Sequence, residues 1–537
     1  MTVPELTVYV GAPERFAPRA AWVLETLLAP LGRRAAVTHD PAQAGGAALA
    51  YAPEPVPGVP TIPCDAGAVE LLLGDRALPE GAFAGRGSGA TYAVAAWPAG
   101  RESGFAVPAD LVASAFVLLA CWDEHTVLER DKHGRLPYKA SVFATQPALA
   151  IEDPAVDRYV EVLRAVLAPR LRELGLAPLP EPGWVWGPGK KFAVALTHDV
   201  DNLWRWTRRG FAASGYRAVR AARARNAVAF SREFGDVTDF VLRHLPNGTD
   251  PFWTFPQILT GEDDRGVSST FYVIARHTHK RDGNQPEVYR EKIPAALRLL
   301  RRGRREVGLH GNDADRLGAG EVARDRDDLA RHAGAEVTGI RYHYLRALYH
   351  ETLPFLESAG FTYDTSLAFA EHEGYRCGCS SPFRPYHLGE ERPLGLVELP
   401  LAVMDGTLQE PHYRSLEAEQ AEWAAAAVLA RALRSGGAVS LLWHNNRFDP
   451  RVSRGYDVVY WKLLDQALAR GAVCGCAADI VARWSEATGM GPARPAAVDA
   501  GPVTLHVDGS RAARGRPDDG EPLPDGGAGA AEGEAGA

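Results

Sequence analysis

No run of about eighteen uncharged apolar residues occurs in this sequence, so nothing in it has the pattern of a membrane-spanning helix. The opening Met-Thr-Val-Pro-Glu-Leu-Thr-Val-Tyr-Val shows neither the basic stretch nor the long apolar stretch of a secretory signal. The expectation is a soluble, cytoplasmic protein. Positive charge is not in excess: 59 Lys and Arg stand against 67 Asp and Glu, a formal net charge of −8. Nucleic acid and anionic lipid therefore lack their usual basic footprint. The local arginine clusters at 208–225 and 298–305 are read as solvated helix faces. Cysteine is scarce, with six in 537 residues, too few for a disulfide framework. Cys377-Gly-Cys379 and Cys474-Gly-Cys476 could in principle offer four thiolates to a metal. That spacing is not the usual one for structural zinc, and buried small hydrophobes are the expected role.

What remains is an ordinary globular composition, 46% hydrophobic and 23% charged, in a chain longer than one core usually supports. Two domains with accessory segments are expected. Residues 1–186 should form a separate α/β domain, with strands at Leu6–Val10 and Ala47–Ala52 and helices at Arg19–Leu28, Ala109–Trp122 and Val156–Leu174. No nucleotide-cradling glycine loop is found there, and its role stays unread. The Pro-rich stretch Ala177-Pro-Leu-Pro-Glu-Pro-Gly183, followed by Trp186-Gly-Pro-Gly189, marks the boundary.

Across 187–491 short apolar strands alternate with helical stretches, the pattern of a largely parallel sheet. Strands are expected at Phe192–Leu196, Ser269–Ile274, Glu306–Leu309, Gly339–Tyr342, Val397–Leu401 and Val439–Trp443, and helices at 287–302, 320–332, 351–359, 415–434 and 457–469. That many units suggest a (β/α) barrel rather than an open sheet. The stretch at about 202–267 is expected to be a helical insertion. Past 492, where Gly, Ala, Pro and acidic residues dominate, a disordered tail is expected.

Chemistry gathers where these strands end. Thr197-His-Asp199-Val-Asp201 closes the first strand, and period-two alternation points Thr197, Asp199 and Asp201 the same way. Two carboxylates there are costly to bury without a metal, a proton or a hydrogen-bonding partner. His310 ends the third strand, Arg341, His343 and Arg346 follow the fourth, Asp405 and Thr407 the fifth, and His444 the sixth. Parallel α/β folds work at the carboxyl ends of their strands, so the recurrence points to one site. Asp405 and Thr407 are candidate substrate contacts, although a strand-end acid is often a helix cap. Tyr344, Trp443 and Phe448 could stack on a substrate ring or pack in the core. His277 and His279 are expected in a surface loop, and Asp263-Asp264 in a solvated turn.

The order of these motifs resembles the NodB-homology polysaccharide deacetylases, a carbohydrate-esterase-like family, over roughly 190–450. The elements are Thr-x-Asp-x-Asp, then Ser269-Thr-Phe-Tyr-Val273, Glu306-Val-Gly-Leu-His310, the Arg341 strand end and Leu441-Leu-Trp-His444. Gly360-Phe-Thr-Tyr-Asp-Thr-Ser366 and Glu398-Leu-Pro-Leu401 with Met404-Asp405 resemble the branch that carries an extra N-terminal domain. The resemblance implies a distorted (β/α) barrel and metal-dependent hydrolysis of an N-acyl group, N-acetyl in the first instance, from an amino sugar or carbohydrate conjugate. It implies Asp199 as catalytic base, Arg341 as the residue that orients it, His444 as general acid, and Asp201 and His310 as metal ligands. The family's second metal histidine falls on Ala314. His343 is the first candidate to replace it, followed by Asp313 or Asp315. The ligand types suit Zn2+, with Co2+, Ni2+ or Fe2+ as alternatives. Two other readings stand beside this one: hydrolysis of a different non-peptide C–N bond, and a degenerate barrel that only binds saccharide.

Overall fold

The computed structural model describes residues 3–83, 95–98, 104–206, 208–227, 230–231, 234–235, 237–238, 250–279, 282 and 286–493. Near the N-terminus four parallel strands, β1 (Glu5–Val10), β2 (Arg34–Thr38), β3 (Leu49–Ala52) and β4 (Thr61–Pro63), lie in the order β2-β1-β3-β4. Strand β2 has no fully buried residue and β4 is three residues long, which is why neither stood out as an apolar run. The helix expected over Ala109–Trp122 breaks at Cys121. That residue takes a left-handed conformation (φ 44°), where an L side chain is strained.

The second sheet carries the site. Its strands are β5 (Phe192–Val200), β6 (Thr270–Val273), β7 (Glu306–Gly311), β8 (Gly339–Tyr342), β9 (Tyr363–Asp364), β10 (Val397–Glu398), β11 (Leu401–Met404), β12 (Ala438–Leu442) and β13 (Ala472–Gly475). They pair in parallel in the order β10-β9-β8-β7-β6-β5-β12-β11, with β13 alongside the first half of β5. The two outermost strands, β10 and β11, are halves of one segment interrupted at Leu399-Pro400. Leu399 N donates to Asp364 O on one side, and Pro400 O accepts from Ser440 N on the other. The sheet therefore curls until its ends meet, giving a distorted barrel whose seam falls where proline has no N–H to give.

Strand β5 is buried along all nine residues, as an interior parallel strand covered on both faces should be. Large aromatic rings fill the barrel beneath the site. Tyr272 OH lies 3.1 Å from Tyr363 OH, which donates to Glu306 Oε1 (2.8 Å). Glycine makes room for both rings: a Cβ at Gly308 would run into Tyr272, and one at Gly339 into Tyr363. Helices form the outer layer at Pro286–Arg302, Ala319–Ala333, Tyr349–Ser358, Ala418–Ser435, Tyr456–Ala469 and Ala477–Thr488. Ala418–Ser435 buries Ala421, Ala425, Val428, Leu429 and Ala432, a one-face stripe, between a Glu417/Gln420 capping box and Gly436.

Within the expected insertion, Arg208–Arg223 and Phe255–Asp263 are helical. The second of these packs into the barrel core. Phe255 and Ile258 are buried, and Glu262 accepts from Ser269 Oγ (2.7 Å), Tyr460 OH (2.9 Å) and Arg305 Nε (3.1 Å) beside His198. Asp263 pairs with Arg305. Of the tail expected past 492, residues 494–537 lie outside the described residues.

The N-terminal region and the barrel share buried side chains, in one apolar cluster that runs from Leu6 to Ala472. Trp22 Nε1 donates to Arg384 O (2.9 Å), Arg19 pairs with Glu391 (2.6 Å), and buried Glu124 pairs with Arg376. Cys377 lies against Cys121 across this contact, 3.6 Å apart, whereas Cys474 belongs to β13. Among the described residues the cysteines form no metal-ligand cluster, so the four-thiolate alternative is not realised. Among the described residues, too, no helix is long and apolar enough to cross a membrane.

Candidate metal centre

The carboxyl ends of five barrel strands bring the expected polar residues into one cleft. Asp199 lies in β5 and Asp201 just beyond it. His310 lies near the end of β7, Arg341 in β8 with His343 just past it, Asp405 directly after β11, and His444 two residues after β12.

Asp201, His310 and His343 form a cluster whose ligand atoms all lie within 4.8 Å of one another. His310 Nε2 is 3.0 Å from Asp201 Oδ1, and His343 Nε2 is 3.6 Å from Asp201 Oδ2. His310 Nδ1 sits 2.9 Å from Arg341 O, a carbonyl that can only accept. Nδ1 must therefore carry a proton, which leaves Nε2 as the nitrogen that can take a metal in place of a proton. Both His310 Nε2 and Asp201 Oδ1 are buried and lack a hydrogen bond of sound geometry. Orphaned buried polar atoms are costly. An acceptor nitrogen and a carboxylate oxygen facing each other are satisfied together by a cation. The residues present thus fit a divalent metal.

The charge balance agrees. Burial would raise the Asp201 pKa, but His343, His310 and His444 around it hold its carboxyl well below the usual range. Burial would lower the His310 pKa, and the carboxylates of Asp199 and Asp201 reverse that and raise it. Both shifts mark a site that asks for positive charge.

Asp199 is set apart from this cluster by its own support. Arg341, fully buried, donates from Nη1 to Asp199 Oδ1 (3.0 Å) and Thr197 Oγ1 (2.8 Å). Its remaining nitrogens donate to Thr365 O (3.0 Å), Thr365 Oγ1 (3.2 Å) and Ser440 Oγ (3.0 Å), and its guanidinium lies 4.6 Å above the Tyr272 ring. A guanidinium held at both faces of its fork fixes the carboxylate it touches.

On the opposite side, His444 Nε2 lies 3.4 Å from Asp201 Oδ2, and His444 Nδ1 lies 2.6 Å from Asp405 Oδ1. Burial would depress this imidazole, but Asp405, aided by Asp201 and Asp199, pushes its pKa up to about 9. Asp405 also accepts from the His444 backbone N–H (3.0 Å) and from Gly406 N (2.7 Å). Its carboxylate is fully buried by these contacts. The substrate contact expected of Asp405 is corrected accordingly: its oxygens face His444, not the cleft.

Trp443 is corrected likewise. It is 0% exposed, with its ring packed near Tyr456 and Tyr460, so no sugar reaches it. Phe448 is also a core residue. Tyr344 is 41% exposed and stacks on His343, ring centroids 4.0 Å apart. Of the alternative ligands, Asp313 pairs with Arg346, while Asp315 accepts from Asn312 N (2.8 Å) in a buried cluster with Asp325. Thr407 is buried. His277 is half-buried against Tyr289, and His279 N donates to Asp282 (2.6 Å); neither belongs to the ligand cluster.

The model of a family of unknown function (DUF7033) matches residues 12–171. No curated protein matches the chain. Among solved structures, a putative polysaccharide deacetylase from Mycobacterium smegmatis is similar at 20% identity and a TM-score of 0.38, covering 58% of this chain and 96% of that one. The Puue allantoinase is similar at 10% identity and a TM-score of 0.38, covering 57% and 94%. A family 4 carbohydrate esterase from Streptomyces lividans is similar at 10% identity and a TM-score of 0.27, covering 53% and 93%. The N-terminal region thus has a family match of its own.

Proposed function

We propose that this protein is a metal-dependent carbohydrate N-deacylase that removes an N-acyl group, N-acetyl in the first instance, from an amino sugar or carbohydrate conjugate. One observation carries the reading. A ligand cluster of Asp201, His310 and His343 is flanked on one side by a carboxylate held by Arg341 and on the other by an imidazole held by Asp405. Hydrolysis of an amide needs a base for water and an acid for the departing amine, and these are two separately supported groups.

A divalent cation at the cluster, Zn2+ in the first instance and Co2+, Ni2+ or Fe2+ by the same donor set, would polarise the acyl carbonyl and acidify the attacking water. Asp199 is the base that takes the proton of that water as its oxygen bonds to the acyl carbon. Arg341 keeps the accepting carboxylate aimed at the cleft. His444 is the acid, handing its Nε2 proton to the nitrogen as the C–N bond breaks. Asp405 holds the imidazole from behind and stabilises its protonated form. Tyr344, partly exposed beside His343, is the candidate substrate contact, through its hydroxyl edge, since both ring faces are covered by His343 and His133.

The proposal includes a division of the chain into an N-terminal domain (1–186), a barrel domain (187–491) and a tail, supported by the Pro-rich stretch at 177–183 and by a family match that ends at 171. It also places the protein in the cytoplasm, where nucleotide-linked, lipid-linked or small glycosidic amino sugars are the available substrates. Acetate release from a panel of such N-acetylated compounds tests the activity. The expected result is release that a chelator abolishes and added zinc restores. Saccharide binding by fully metal-loaded protein, with no release from any compound, would leave a non-catalytic binding module instead.

A further inference from the structure

His310 is oriented by a hydrogen bond to the Arg341 carbonyl, whereas His343 is oriented by a ring face. Its imidazole stacks on Tyr344 at 4.0 Å and 21°. Tyr344 in turn stacks on His133 at 4.7 Å and 16°, so three rings form a continuous pile that starts in the N-terminal region and ends at the metal cluster.

The turn that carries Tyr344 would not hold this shape unaided. Tyr344 (φ 59°) and Leu345 (φ 55°) are consecutive left-handed residues with side chains, a conformation that persists only where the surroundings fix it. The fixing comes from Asp131-Lys-His-Gly-Arg135. Arg135 Nη1 donates to Tyr344 O (2.6 Å), and Arg346 Nε donates to His133 O (3.2 Å). The loop is itself braced: Asp131 accepts from Arg135 Nε (2.9 Å), Arg135 Nη2 (2.6 Å), Arg135 N (2.9 Å) and His133 N (2.8 Å). His133 and Arg135 are both buried, which is unusual for a loop of such polar composition. They lie inside the segment 12–171 that matches a family of its own.

We propose that the Asp131–Arg135 loop is a positioning element for the metal centre, fixing Tyr344, and through it His343, by the ring of His133 and the guanidinium of Arg135. The N-terminal region then completes the site from outside the barrel. Residues that orient a ligand are worth about 10- to 100-fold in metal affinity. This inference rests on the metal-centre reading, and its test separates the two.

Zn2+ affinity is measured by competition with a chromophoric chelator, together with the visible absorption of the Co2+ form, on the full chain. His133→Ala should bind at least ten-fold more weakly than wild type and change the Co2+ spectrum. His133→Phe, which keeps a ring face, should stay near wild type. His133→Leu keeps bulk without a ring and serves if the alanine variant does not fold; it should lose affinity as the alanine variant does. Wild-type affinity and an unchanged Co2+ spectrum in His133→Ala or His133→Leu, with binding lost in His310→Ala, would overturn the positioning role and leave the metal centre standing. No metal binding by wild type would overturn both.

Discussion

Asp199→Asn is expected to reduce turnover by about 10^2- to 10^4-fold, the usual worth of a positioned general base, while metal binding stays at the wild-type level. An amide still accepts the hydrogen bond that Arg341 Nη1 gives to Asp199 Oδ1, so the buried network of Arg341, Thr197, Thr365 and Ser440 should survive. The change removes the ability to take a proton from water. Asp199 lies outside the ligand cluster, with its Oδ2 3.8 Å from His310 Nε2, so the cation keeps its three protein ligands. Acetate release and elemental analysis on the same preparation check both halves. Turnover within ten-fold of wild type would remove Asp199 as the base, and loss of metal would make it a ligand.

Asp405→Asn is expected to move the alkaline limb of the pH–rate profile down by about one unit or more, where one unit corresponds to about 1.4 kcal/mol. His444 acts in its protonated form, so activity is present below its pKa and lost as pH rises through it. In the wild type, burial disfavours the imidazolium and Asp405 more than offsets this, raising the pKa to about 9. An amide at 405 removes the largest favourable charge and leaves the burial in place, so the proton is lost at lower pH. The acidic limb, set by a different group, should stay where it is. An unchanged alkaline limb would mean that His444 is not the acid or that Asp405 does not control it.

The strand ends were legible before the fold because they obey a local rule. Alternation along β5 sends Asp199 and Thr197 to one side, towards Arg341, and His198 to the other, towards Glu262. The same rule, applied at 443–444, would have separated His444 from Trp443: one faces the cleft and the other packs in the core. The third member of the cluster was legible as one candidate among three, and the geometry brings His343 to Asp201 and His310, since Asp313 is taken by Arg346 and Asp315 is turned towards Asn312.

Long-range pairings left no such trace. Asp405 and His444 are 39 residues apart, and nothing in either segment says that the carboxylate turns back onto the imidazole. The approach of Arg135 to the Tyr344 carbonyl spans 209 residues and depends on how the N-terminal region docks. The number of strand–helix units suggested a barrel, but the place of its closure was not in the strand pattern. It follows from the broken strand at Leu399-Pro400, whose two halves were read as one element.

The central claim is that Asp201, His310 and His343 hold a metal. Elemental analysis of wild-type protein and His343→Ala, both purified without chelator, tests it most directly. The account predicts close to one divalent metal per chain in the wild type and little in the variant. Equal metal in both would contradict the role of His343, and no metal in either after zinc addition would contradict the metal centre itself.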